Sequence, residues 1–210
     1  MEWVILFPRL QRRLVRAYAD LGNWVQMFFP GYYTTMIEKN TSWLTSPAST
    51  RFHLNKEGGL LEHSVGVAET LLKFKTALAP EISEESCVIV GLLHDVGKVG
   101  MPGKPRYIKN TDAWQIKNRN ITYNINPKEV AMNLATRSLY LIAKYIPLSD
   151  AEAQAILYHD GLYVEGNKEI AHKEEPLTLL IQWADNWTAL IYEEGRTLID
   201  DTNYYVRKTD

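Results

Sequence analysis

The chain has 210 residues, a hydrophobic content of 46% and a formal net charge of −2. That is ample apolar material for one sizeable core, and it excludes the global basic field that drives binding to a long polyanion. The single cysteine, Cys87, excludes an intramolecular disulfide and a thiolate metal site. Set in Cys87-Val88-Ile89-Val90, it reads as a buried structural thiol.

The amino-terminal apolar run, Trp3 to Phe7, has Glu2 before it and Pro8 after it. It is too short and wrongly flanked for a signal peptide, and no stretch reaches membrane-spanning length, so no membrane partner and a cytoplasmic location are expected. The same run can pack on a second subunit, and the oligomeric state is left open. No internal repeat or low-complexity segment interrupts the helical period. Arg9 to Val25 reads as an amphipathic helix with Leu10, Leu14, Tyr18 and Leu21 on one face. A Pro30-Gly31 turn precedes a second helix over Tyr32 to Leu44, and Thr45 to Gly59 carries loop signals.

Leu60 to Leu78 is predicted as a helix with His63 in its first turn, and Glu84 to His94 as a second, largely apolar one. Gly100 to Ile125 mixes Pro102, Gly103 and Pro105 with basic and aromatic residues, and reads as a long loop or short hairpin inserted between helices. Asn126-Pro127 is expected to start another helix, because proline suits the first helical position and asparagine caps. Ser149-Asp150-Ala151-Glu152 has the form of a capping box opening the helix toward His159. Pro176 opens the last helix, Leu177 to Glu194, with Asp185 in its middle. The tryptophans, including Trp183 and Trp187, are assigned to packing. The fold class is therefore all-α, a helical bundle in one domain with its core at about 51–194 and an amino-terminal helical extension over 1–50.

Four of the five histidines fall in one order with aspartates: His63, then His94-Asp95, then His159, His172 and Asp185. Imidazole nitrogens and carboxylate oxygens are the ligand set of a catalytic divalent metal. A carboxylate such as Asp185, set in Trp183-Ala184-Asp185-Asn186-Trp187, is costly to bury unless it is paired or coordinated.

The chain resembles the HD superfamily of metal-dependent phosphohydrolases, on Glu62-His63-Ser64, His94-Asp95-Val96-Gly97-Lys98 and Asp185 in Ala184-Asp185-Asn186. The resemblance spans roughly Arg51 to Glu194, and His159 and His172 resemble the dinuclear branch. It implies an all-helical fold in which His63, His94, Asp95 and Asp185 hold one ion. Asp95 would bridge to a second ion completed by His159 and His172. Manganese, iron, magnesium, cobalt, nickel and zinc all serve in such sites. The resemblance further implies a metal-activated water that attacks phosphorus in line, with Asp95 and Lys98 as catalytic residues and Lys98 placed to touch a phosphate.

Around this centre each further residue has two readings. His53 is either a phosphate or leaving-group contact or a loop histidine bonded to backbone; Arg51 either grips phosphate with its planar fork or is solvated. Lys104, Arg106, Tyr107 and Lys109 form either a substrate lid or a solvated charge run. Asp160 either orients His159 and meets substrate, or caps the turn near Gly161. The expected function is hydrolysis of a phosphoester or phosphoanhydride of a small phosphorylated compound, a nucleotide first of all. The alternatives are a metal-dependent 3′–5′ single-strand exonuclease, since the Pro47-Ala48-Ser49-Thr50-Arg51 loop and the Gly58-Gly59-Leu60 helix start resemble those of HD domains associated with nucleic-acid processing, and a non-catalytic nucleotide-sensing module, which the filled ligand positions oppose.

Overall fold

The structure is a computed structural model and describes residues 41–193. The expected helix over Arg9 to Val25, the run Trp3 to Phe7, most of Tyr32 to Leu44 and the far end of the last helix at Glu194 lie outside those residues. Residues 41–45, the described end of the second expected helix, form turns.

The described residues are mostly helical, as the period of the apolar positions predicts. Helix α1 (Gly59–Leu78) packs on α2 (Glu84–Leu93) and on α6 (Pro176–Trp187), while α4 (Leu134–Ile142) and α5 (Asp150–Leu157) complete the bundle. Leu60, Val67 and Leu71 on one stripe of α1 meet Val90 of α2, Ile142 of α4, Ile156 of α5 and Ile181 of α6 in a single core. Cys87 sits in that core, and burial pushes its thiol up to about 11. The capping box of α5 is formed: the Ser149 hydroxyl accepts from the Glu152 N–H, and the Ser149 N–H donates back to Glu152 Oε2 at 2.8 Å.

The insertion over 100–125 is ordered. Strand β1 (Gly100–Met101) pairs antiparallel with β2 (Lys104–Pro105), and β3 (Tyr107–Lys109) with β4 (Tyr123–Ile125), Tyr107 facing Ile125. Between β3 and β4 lies a short helix, α3 (Ala113–Arg119), capped by the Asp112 carboxylate.

Two expectations need correction. Asn126-Pro127 makes a turn, with Asn126 Oδ1 accepting from the Lys128 N–H at 3.0 Å, and α4 begins only after Asn133. The extended approach to α4 is held by Arg137, a fully buried guanidinium that donates to the carbonyls of Val130 (2.7 Å) and Met132 (3.4 Å). Trp183 is not core: it is 51% exposed, because Leu177, Leu180, Ile181 and Ala184 already fill the inward face of α6. Trp187 is also largely on the outside, edge-on to Phe74.

Two close backbone approaches fix the segments that carry His53 and Asp95. Gly59 lies against the Leu54 carbonyl so tightly that a Cβ would stand 2.0 Å from its oxygen. Gly58 before it has φ +76, so the glycine pair is what lets the loop bearing His53 dock on the start of α1. Gly97, in the 3-10 turn Val96–Val99, is held on both sides by α4: its N–H donates to Ser138 Oγ at 2.8 Å, and its carbonyl accepts from Arg137 Nη1 at 3.1 Å. A Cβ there would lie 2.3 Å from the Leu134 oxygen and 2.9 Å from the Ser138 nitrogen. Gly97→Ala is therefore expected to lower stability by about 1–3 kcal/mol, read by denaturant unfolding of metal-free protein. An unchanged unfolding midpoint would contradict the tight contact.

Candidate metal centre

The cluster is built from helix ends. His94 caps the carboxyl end of α2, Asp95 follows it, and His159 lies two residues beyond α5 in a turn closed by Gly161 at φ +60. His63 comes from the first turn of α1 and Asp185 from the middle of α6. His63, His94, Asp95 and His159 are buried, and Asp185 is partly so.

The ring nitrogens are sorted in the same sense at all three histidines. His94 Nδ1 is 2.9 Å from the Gly91 carbonyl and His159 Nδ1 is 2.8 Å from the Ile156 carbonyl, each three residues back. A carbonyl can only accept, so Nδ1 carries a proton and Nε2 is the atom left to face the carboxylates. His63 Nδ1 is instead 3.0 Å from Glu193 Oε1. The Nε2 atoms converge on two carboxylates. His63 Nε2 is 3.1 Å from Asp185 Oδ1 and 3.6 Å from Asp95 Oδ2; His94 Nε2 is 3.6 Å from Asp95 Oδ2 and 3.9 Å from Asp185 Oδ1. His159 Nε2 is 3.6 Å from the other oxygen, Asp95 Oδ1.

Two triads of donor atoms result, His63–His94–Asp185 and His94–Asp95–His159, with the atoms of each triad within 4.8 Å of one another. Nε2 of both His63 and His94 is buried with no hydrogen-bond partner. Buried imidazole nitrogens gathered with carboxylate oxygens at this range are costly without an ion and suited to one, so the donor set fits a divalent metal. Lys98 lies beside it, its Nζ 2.5 Å from Asp95 Oδ2.

The charges respond accordingly. Burial opposes protonation of His63, but the Asp185 and Glu193 carboxylates outweigh it and lift its pKa to about 10. At His159 burial is likewise outweighed, by Asp95 and Asp160, to about 9. His94 has no such excess, and burial drops it to about 4. Asp95 is held well below the usual carboxylate range: burial opposes this, and Lys98 and the histidines overcome it.

The remaining sequence candidates divide. His53 lies beside the cluster, its ring centroid 5.1 Å from that of His63, with a buried and unpartnered Nε2. Tyr107 is half-buried in the field of Lys98. Asp160 is exposed, but its Oδ1 comes within 3.7 Å of His159 Nε2. Arg106 is occupied by an ion pair with Glu129. Arg51, Lys104 and Lys109 are exposed; Arg51 stacks over Phe52 at 4.7 Å and Lys109 pairs with Glu57 at 3.3 Å. His172 is not brought to the cluster: it is exposed, in a turn at φ +65. Glu193 is the functional candidate that reading the chain missed. Within Tyr192-Glu193-Glu194 it has no local signature, and helical spacing from Asp185 would have placed it on a different face.

Because His63 and His159 hold protons at neutral pH, an ion has to displace them. Adding manganese to metal-free protein in weak buffer at pH 7.5 should release about one to two protons per chain. Affinity should rise as pH climbs toward 9–10 and fall below pH 7. Binding without proton release would contradict the protonated state of this pair.

A family model described as HD domain matches residues 60–190, which contain all five clustered residues, His63, His94, Asp95, His159 and Asp185. No curated protein and no solved structure matches the chain.

Proposed function

This chain belongs to the HD-domain family of metal-dependent phosphohydrolases, and we propose that it hydrolyses a phosphoester or phosphoanhydride of a nucleotide or similar small phosphate compound. The observation that carries this reading is the inward convergence of three imidazole Nε2 atoms on Asp95 and Asp185, with Lys98 at their edge. His63, His94 and Asp185 would hold one ion. Asp95 turns Oδ2 toward His94 and Oδ1 toward His159, and would contribute to a second position beside the first. Without His172 the described ligands of the second position are Asp95 and His159. A divalent ion bound there would supply Lewis-acid polarisation of a phosphoryl oxygen and acidify water.

The chain's own residues provide the rest. The Lys98 ammonium, lifted above its ordinary range by Asp95 even though burial opposes it, stays charged and can bind a phosphoryl oxygen. Its Nζ lies against Asp95 Oδ2 at the edge of the cluster, where a phosphoryl oxygen of a bound substrate would meet it. Tyr107 and His53 flank the same edge and are suited to contact the leaving group. No helix among the described residues is long and apolar enough to cross a membrane.

The test is a nucleotide panel with manganese- or iron-loaded protein, scored for released phosphate or nucleoside. Asp95→Asn should lower turnover more than about 100-fold while the fold is retained. Nucleotide binding without turnover under any metal would instead favour a sensing module.

A second reading, a single-strand nuclease, is favoured by one specific observation. Segments 51–57 and 100–128, which meet through the bond from Asn120 Nδ2 to the Arg51 carbonyl at 3.1 Å, carry eight lysines and arginines against two acids in a chain of net charge −2. Phe52 and Trp114 are exposed there, with Arg51 and Arg119 over their rings, a combination suited to base stacking. A labelled single-stranded oligonucleotide degraded to mononucleotides, at a rate cut by Trp114→Ala, would place this reading first. Intact oligonucleotide beside a hydrolysed nucleotide would retain the small-substrate one.

A further inference from the structure

Two of the three clustered histidines are oriented by the carbonyl three residues back, a bond available near the carboxyl end of a helix. His63 lies in the first turn of α1 and uses Glu193, a residue 130 positions later, for the same purpose. The Glu193 side chain is 8% exposed, and its second oxygen is buried with no partner. A carboxylate buried at this cost needs a compensating role.

What brings it there is a change of helix type. After α6 the chain continues through a π-helical turn, Thr188–Glu193. At 3.6 residues per turn, eight residues of continued α-helix would rotate Glu193 by roughly 80° from Asp185. The wider π turn advances less per residue and so returns Glu193 toward the face that carries Asp185. The turn is also fastened to α1: Thr188 Oγ1 is 3.0 Å from Thr70 Oγ1 and donates to the Gly66 carbonyl at 3.4 Å.

We propose that the π turn exists to make Glu193 the positioning residue of His63: its carboxylate holds the Nδ1 proton, so that Nε2 faces Asp95 and Asp185 as a metal donor. His53 closes the far side, with one donor atom each from His53, His63 and Glu193 within 4.8 Å of one another. The inference rests on the reading that the cluster binds a divalent ion, and it adds a residue outside the ligand set that decides how well it does so.

The experiment compares zinc affinity of the wild type, Glu193→Gln and Glu193→Ala by chelator competition, with long-range ¹H–¹⁵N spectra of the zinc-loaded proteins reporting the tautomer of each ring. Glu193→Ala should weaken zinc binding 10- to 100-fold and lose the single Nδ1–H state of His63. Glu193→Gln, whose amide oxygen still accepts, should restore most of both. Equal affinity in all three proteins overturns the proposal, as does a glutamine variant as weak as the alanine one. Should Glu193→Ala fail to fold, the wild type alone decides: His63 bound to zinc through Nδ1 would overturn it. If the wild type takes up no zinc, manganese or iron at all, the failure lies with the metal reading itself and is recognisable as such.

Discussion

Three imidazoles and two carboxylates meet at one largely dry point inside a helical bundle, and the rest of the described structure is arranged around the cost of putting them there. Each ion moved from water into such a place loses several kcal/mol of hydration. The loss is contained by pairing each carboxylate with histidines and by placing Lys98 against Asp95. The opposed responses of His63 and His94, one lifted to about 10 and the other dropped to about 4, express one constraint. Two carboxylates and Glu193 can keep a limited number of protons, and His94, fully buried between the charged His63 and His159, is the ring that does without.

The elements that deliver these groups are mostly ends. Asp95 and Lys98 sit in and beside a 3-10 turn rather than in α2, and that turn is clamped by Ser138 and Arg137 from α4. The buried Arg137 makes sense in this light. It ties the Gly97 carbonyl to the segment before α4 and pairs with Glu129 at 3.2 Å, so the metal-side turn is fixed by an element that contributes no ligand. The glycine pair at the start of α1 serves in the same way, admitting the Leu54 carbonyl and with it the loop that sets His53 beside His63.

The insertion between β1 and β4 changes the electrostatic picture. A net charge of −2 suggests a chain indifferent to polyanions, yet the insertion and the loop it contacts are rich in lysine and arginine and poor in acids. Net charge averages over the surface, and a substrate meets only the face around the site.

Much of the centre was legible in the chain because its signals are local. The His94-Asp95 pair, the capping box at Ser149 and the apolar period of Leu60 to Leu71 state their chemistry within a few residues. The ordered list of histidines and aspartates therefore pointed to the family, the all-helical fold and the five residues that cluster at the centre. Tertiary structure decided what no local pattern encodes. His172 falls in an exposed turn despite its place in the order, Asn126-Pro127 gives way to Asn133, and Trp183 faces outward. Glu193 reaches His63 across 130 residues only because one helical turn is wider than the rest. Such placements depend on rotation accumulated along a helix and on how loops dock, and a few degrees per residue, summed over two turns, decide which side chain reaches the cluster.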